Sequence, residues 1–181
     1  MSLKRFLPFE KITLTTKLSS EEVHKRLKEN IEPKKYFPES VFNRNSAKEY
    51  EGEIIGNTFK INQILVGRRN SFAPTISGNI SSYLGQTNVN IRMQLLPSVT
   101  ILMSLWLGIV GLVCLALLFV GLLQVKHILM NGFSPMFLIP FVMFAFGILL
   151  TIFGFKSESK KAKEFLTELL EGKETIINEP D

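Results

Sequence analysis

Residues 99–123 read VTILMSLWLGIVGLVCLALLFVGLL, and this stretch decides the fold class. It lies within 33 consecutive residues, Met93 to Val125, that carry no charge. At about 1.5 Å per residue, a helix over this stretch reaches ~37 Å, enough to cross a ~30 Å hydrocarbon core with some tilt. A second apolar run, 135–155, reads PMFLIPFVMFAFGILLTIFGF and stops before Lys156. Ser134 and Pro135 read as N-cap and first helical residue. Pro140 falls early in the same helix, where it is expected to kink it. The connection 124–133 is short, so the two spans are expected to form an antiparallel hairpin.

The whole-chain average conceals this block. The chain has 181 residues, 46% of them hydrophobic, with a mean hydropathy of +0.21. Within 98–155, 41 of 58 residues are hydrophobic, and the only Lys or Arg is Lys126. The expected organisation is a cytosolic α+β domain over 1–97, a transmembrane hairpin over 98–155, and a cytosolic helix and tail over 156–181.

Charge sets the orientation. Residues 1–97 hold 15 Lys and Arg against 9 Glu. Arg92 precedes the first span, and Lys156, Lys160, Lys161 and Lys163 follow the second. The intervening loop carries Lys126 alone, so the positive-inside rule places both termini in the cytoplasm. The membrane would be a plasma membrane, or an inner membrane in a bacterium. The basic balance of the first domain suits anionic headgroups. The basic residues are scattered without interleaved aromatics, which argues against nucleic acid as a partner.

Several chemistries are disfavoured. The single cysteine, Cys114, lies inside the apolar block, and the two histidines are His24 and His127. Neither a cysteine zinc site nor a disulfide follows from this, and no metal or other cofactor is expected. The only aspartate is Asp181, so a Ser–His–Asp triad is out of reach. The spans lack Asp, Glu, Lys and Arg in their interiors, which argues against an ion pathway. Met1 to Phe9 offers no apolar signal-peptide core.

The polar regions show clear periodicity. Residues 9–16 alternate as a strand with Ile12 and Leu14 on one face. Ser19 and Glu22 form a capping box for a helix that buries Val23, Leu27 and Ile31. Gly56-Asn57 is a two-residue turn, so Tyr50–Ile55 and Thr58–Val66 form a hairpin. In that register Ile54 faces Phe59, Gly52 faces Ile61, and Glu53 faces Lys60 in a cross-strand ion pair. Glu49, Glu51 and Glu53 then share a solvated face. Val89, Ile91, Met93 and Leu95 alternate against Ile76, Gly78 and Ile80, with Leu84–Thr87 as a four-residue turn. The last strand runs through Pro97 into the first span with no flexible linker, which predicts a sheet held close to the membrane surface. After the second span, Ser157–Glu171 reads as an amphipathic helix with an apolar stripe of Ala162, Phe165, Leu166, Leu169 and Leu170, and with Gly172 as its C-cap. That stripe is expected to dock on the sheet; lying on the bilayer is the alternative.

Two local features stand out as candidate sites. Arg68 and Arg69, between Gly67 and Asn70, form a candidate contact for an anion or lipid headgroup. Ser104-x-x-x-Gly108 and Gly147-x-x-x-Thr151 are small-residue spacings suited to close helix packing, within the hairpin or between protomers.

The order strand, helix, two hairpins and terminal helix resembles the helix-grip (START-like) arrangement over about 120 residues. The resemblance implies an antiparallel sheet gripping a terminal helix around an apolar cavity, and it implies no site residue. Three functional readings follow. The first is a non-enzymatic double-pass membrane protein whose cytosolic domain binds a protein partner, scaffolds a complex or forms a homo-oligomer. The second is a lipid or lipophilic-ligand module of the helix-grip kind. The third is a membrane enzyme using Glu and Arg.

Overall fold

The structure, a computed structural model, describes residues 9–34, 48–64, 72–83, 85–123 and 135–175. It is a mixed α+β protein with a seven-stranded sheet and three α-helices. The elements run β1 (Phe9–Thr16), α1 (Ser20–Asn30), β2 (Ile31–Pro33), β3 (Tyr50–Ile55), β4 (Thr58–Gln63), β5 (Thr75–Tyr83) and β6 (Gln86–Gln94). There follow α2 (Pro97–Leu123), a 3-10 turn (Pro135–Leu138), α3 (Ile139–Leu169) and β7 (Lys173–Thr175). Two compact units result: Met1–Leu96 together with Gly154–Asp181, and Pro97–Phe153.

In the first unit the strands lie in the order β2-β3-β4-β5-β6-β1-β7. All neighbours are antiparallel except the β2–β3 pair. The first hairpin has the predicted register, with Glu53 opposite Lys60, Ile54 opposite Phe59 and Gly52 opposite Ile61. Gly56 takes φ 53 in its turn, the left-handed conformation that glycine adopts without steric cost. The second hairpin pairs Ile80 with Val89, Gly78 with Ile91 and Ile76 with Met93. Its turn is tighter than the four residues expected, because pairing continues to Tyr83 and Gln86. Gly85, at φ 76, makes that reversal feasible.

Side-chain alternation gives the sheet a covered and an uncovered face. The covered face buries Ile12, Leu14, Tyr50, Phe59, Ile61, Ile76, Ile80, Val89, Ile91 and Met93. Against these pack Val23 and Leu27 of α1, and Phe155, Ala162 and Leu166 of α3. The Tyr50 and Phe165 rings stack with centroids 4.4 Å apart. The polar half of α3 therefore completes a core begun before the apolar stretches of the chain. A side chain at Gly78 would strike the Phe59 ring, so the glycine makes room for a large cross-strand aromatic.

Polar contacts fix both helices on the sheet. Ser19 caps α1 by accepting from the Glu22 amide at 3.2 Å. The Glu22 carboxylate engages Arg26 Nε at 3.5 Å rather than closing the capping box. Arg26 also donates to the Leu169 carbonyl at 3.1 Å and to Glu171 Oε1 at 2.7 Å. It thereby satisfies one of the last carbonyls of α3, which lack partners within the helix. Thr16 Oγ1 donates to the Leu170 carbonyl at 2.7 Å.

Three further details differ from the sequence expectation. First, α3 is one continuous helix from Ile139 to Leu169, with no break at Lys156. The change there is in polarity, and nothing between Lys156 and Glu168 stops a helix. Second, the helical turns begin at Pro135 as a 3-10 turn and become α-helix at Ile139, so Pro140 sits where one form gives way to the other. Third, the left-handed residue at the end of α3 is Glu171 (φ 47), not Gly172. The Gly172 amide donates to the Thr167 carbonyl and the Glu171 amide to that of Glu168, a Schellman closure with Glu171 where glycine is usual.

In the second unit, α2 has a mean hydropathy of 2.7 over its most apolar window, and only 11% of that window is buried. The apolar part of the second long helix has 2.6 and 6%. Both helices are long and apolar enough to cross a membrane.

Candidate functional site

The strongest candidate surface is the uncovered face of the sheet. Neither α1 nor the polar half of α3 covers it, although Thr75 and the Asn62 amide oxygen are buried at one end. Strand register lays its side chains in rows that cross β3, β4, β5, β6 and β1. One row reads Glu53, Lys60, Ser77, Arg92, Lys11. The next reads Ile55, Thr58, Asn79, Asn90, Thr13. A shallow groove is lined by Glu53, Lys60, Ser77, Asn79, Asn90 and Arg92, among others.

Hydrogen bonds organise this face. Thr13 Oγ1 donates to Asn90 Oδ1 at 2.8 Å, and Thr15 Oγ1 donates to Asn88 Oδ1 at 2.9 Å. Each amide oxygen accepts one of these bonds, and each amide keeps its NH2 group as a donor. The Arg92 guanidinium lies 5.3 Å from the centroid of the half-exposed Phe9 ring, and Lys11 Nζ lies 5.9 Å from it. Both distances suit cation–π attraction. Glu53 and Lys60 stand opposite each other without the predicted ion pair. An exposed pair gains little from closing, because water screens it and two long side chains lose freedom.

The covered face holds a second polar cluster, built into the core. Ser159 is fully buried; its hydroxyl donates to Glu10 Oε2 at 2.5 Å and lies 3.3 Å from Met93 Sδ. Glu158 is buried and pairs with Lys161 at 2.8 Å. Burial pushes the Tyr50 phenol up to about 12, aided by the charges of Glu49 and Glu158. Every polar group here has a structural partner or a packing role, and the cluster anchors α3 to β1 and β6.

Among the described residues, no three His, Cys, Asp or Glu side chains are grouped to hold a metal ion. Arg68 and Arg69 lie outside the described residues. Ser104 and Gly108 are exposed on α2, and a Cβ at Gly108 would meet nothing within 4 Å. Gly147 is buried against Trp106, whose ring occupies the space a side chain there would need. Thr151 Oγ1 donates to the Gly147 carbonyl at 2.8 Å. The two small-residue spacings therefore do not meet. Gly111, not singled out from the sequence, has Phe144 3.3 Å from the position of a Cβ.

No known protein family, curated protein or solved structure matches the chain.

Proposed function

We propose that the chain is a double-pass integral membrane protein with both termini in the cytoplasm. Its α+β domain acts as a non-enzymatic binding or scaffolding module. The observation that carries the membrane reading is the surface of the two long helices. Leu102, Leu105, Leu112, Leu115, Leu122 and Leu123 of α2 are each more than 60% exposed. In water such a surface would drive aggregation, whereas acyl chains accept it. The basic flanks described above support the orientation.

Binding at a surface is favoured over binding in an interior cavity. In a helix-grip arrangement the ligand would lie between sheet and terminal helix. Here Tyr50, Phe59, Phe155, Phe165 and Leu166 occupy that space. Native mass spectrometry of the detergent-purified chain tests the reading. The expected result is a second copy or a stoichiometric protein partner. A retained lipid of defined mass, lost when Phe59 is enlarged to Trp, would favour the interior-ligand reading instead.

A further inference from the structure

We propose that the uncovered face of the sheet carries a binding site for one phosphate group, held by Lys60 and Arg92 on either side of Ser77. The register places these three residues side by side on adjacent strands. Strands lie about 4.8 Å apart, so the two cationic side chains leave the sheet about 10 Å apart, with the hydroxyl midway. Lys60, Ser77 and Arg92 line one groove; the Arg92 guanidinium, which rests 5.3 Å from the Phe9 ring centroid, turns across β6 to meet an anion held there. Arg92 offers a planar fork and Lys60 a point charge, the two complementary ways of holding phosphate oxygens.

Three further observations favour an anion. Among the described residues Lys60 is engaged in no ion pair, although Glu53 stands opposite it. Lys60 and Arg92 together set two cations against the single carboxylate of Glu53 in this row. Asn90, in the same groove, accepts from Thr13 through its amide oxygen and keeps its NH2 group as a donor. The groove thus sets an amide donor and two cations beside one hydroxyl. The whole site lies in the unit Met1–Leu96 with Gly154–Asp181, and it stands whether or not the apolar helices cross a membrane.

The phosphate can come from a soluble phosphate ester or from a lipid headgroup, and calorimetry separates the two. The full chain in neutral detergent is titrated with inorganic phosphate, glycerol 3-phosphate and dihexanoyl phosphatidic acid. Saturable binding is expected, weakened about tenfold by Lys60→Gln and by Arg92→Gln, since each removes a charge-assisted contact. Glu53→Gln is expected to tighten binding about threefold by removing a repulsive charge, an effect that loss of fold would not produce. Similar affinity for all three probes identifies a soluble ester, and preference for the dihexanoyl lipid identifies a headgroup; both support the site. If Arg92→Gln lowers the melting temperature, Arg92→Lys combined with Lys60→Gln takes its place. The proposal is overturned if no probe binds saturably, or if binding survives replacement of both cations.

Discussion

Leu166 offers the sharpest test of how the domain is assembled. It is fully buried in the core formed by β1, β3–β6, α1 and α3, yet it follows both apolar stretches, 99–123 and 135–155, in the chain. Truncation to alanine removes three carbons, about 2.4 kcal/mol of transfer free energy at ~0.8 kcal/mol each. A residual cavity adds to this, because close-packed neighbours relax only partly. The expected loss is about 3 kcal/mol. For a unit of this size, each kcal/mol lowers the melting temperature by about 4 °C. Leu166→Ala should therefore melt ~12 °C below the parent when the near-ultraviolet circular dichroism of the detergent-purified full chain is followed. Leu149→Ala is the control, because Leu149 is half exposed on the apolar part of α3. It should shift the transition by less than about 2 °C. If Leu166→Ala melted with the parent, α3 would not complete the sheet's core, and a helix lying on the bilayer would be the better account.

Three other outcomes follow from the geometry. Gly78→Ala should destabilise by about 2 kcal/mol by displacing the buried Phe59 ring, and Phe59→Leu should recover part of that loss in a double-mutant cycle; additive effects would mean the two positions are uncoupled. Gly147→Leu should expel Trp106, the only tryptophan, from its packing position, changing its emission maximum, whereas Gly108→Leu should leave the spectrum unchanged. Tyr50 titrates near 12 when folded and near 10 when unfolded, so its neutral form is the one the fold favours. Its contribution is present below pH 10 and is lost as pH rises toward 12. A urea midpoint that falls over this window in the parent, and falls less in Tyr50→Phe, is expected; identical profiles would remove Tyr50 as the cause.

Much of this architecture is legible in the sequence because it rests on local periodicity. Two-residue alternation around Gly56-Asn57 sets the β3–β4 register without reference to the rest of the chain. The stripe Ala162, Phe165, Leu166, Leu169 and Leu170 likewise reveals a helix that needs a partner. What is not legible depends on residues distant in sequence. The strands β2 and β7 have three residues each, too few to show a period, and exist because β3 and β1 offer them an edge. Gly172 is the residue that the sequence alone offers for the end of α3. Glu171 instead takes the left-handed position, where its carboxylate meets Arg26, which lies 145 residues earlier in the chain. Lys60, Ser77 and Arg92 carry no shared motif; they become neighbours only when β4, β5 and β6 are laid side by side.

The central claim is that two uncharged helical stretches cross a membrane and return the chain to the side it started from. Paired reporter fusions address it directly. Green fluorescent protein joined after Asp181 should fluoresce, and alkaline phosphatase inserted in the 124–133 loop should be active, because that loop alone is expected to be exported. An inactive loop phosphatase together with an active phosphatase fused after Asp181 would contradict the orientation. An inactive phosphatase at both places would contradict the crossing itself.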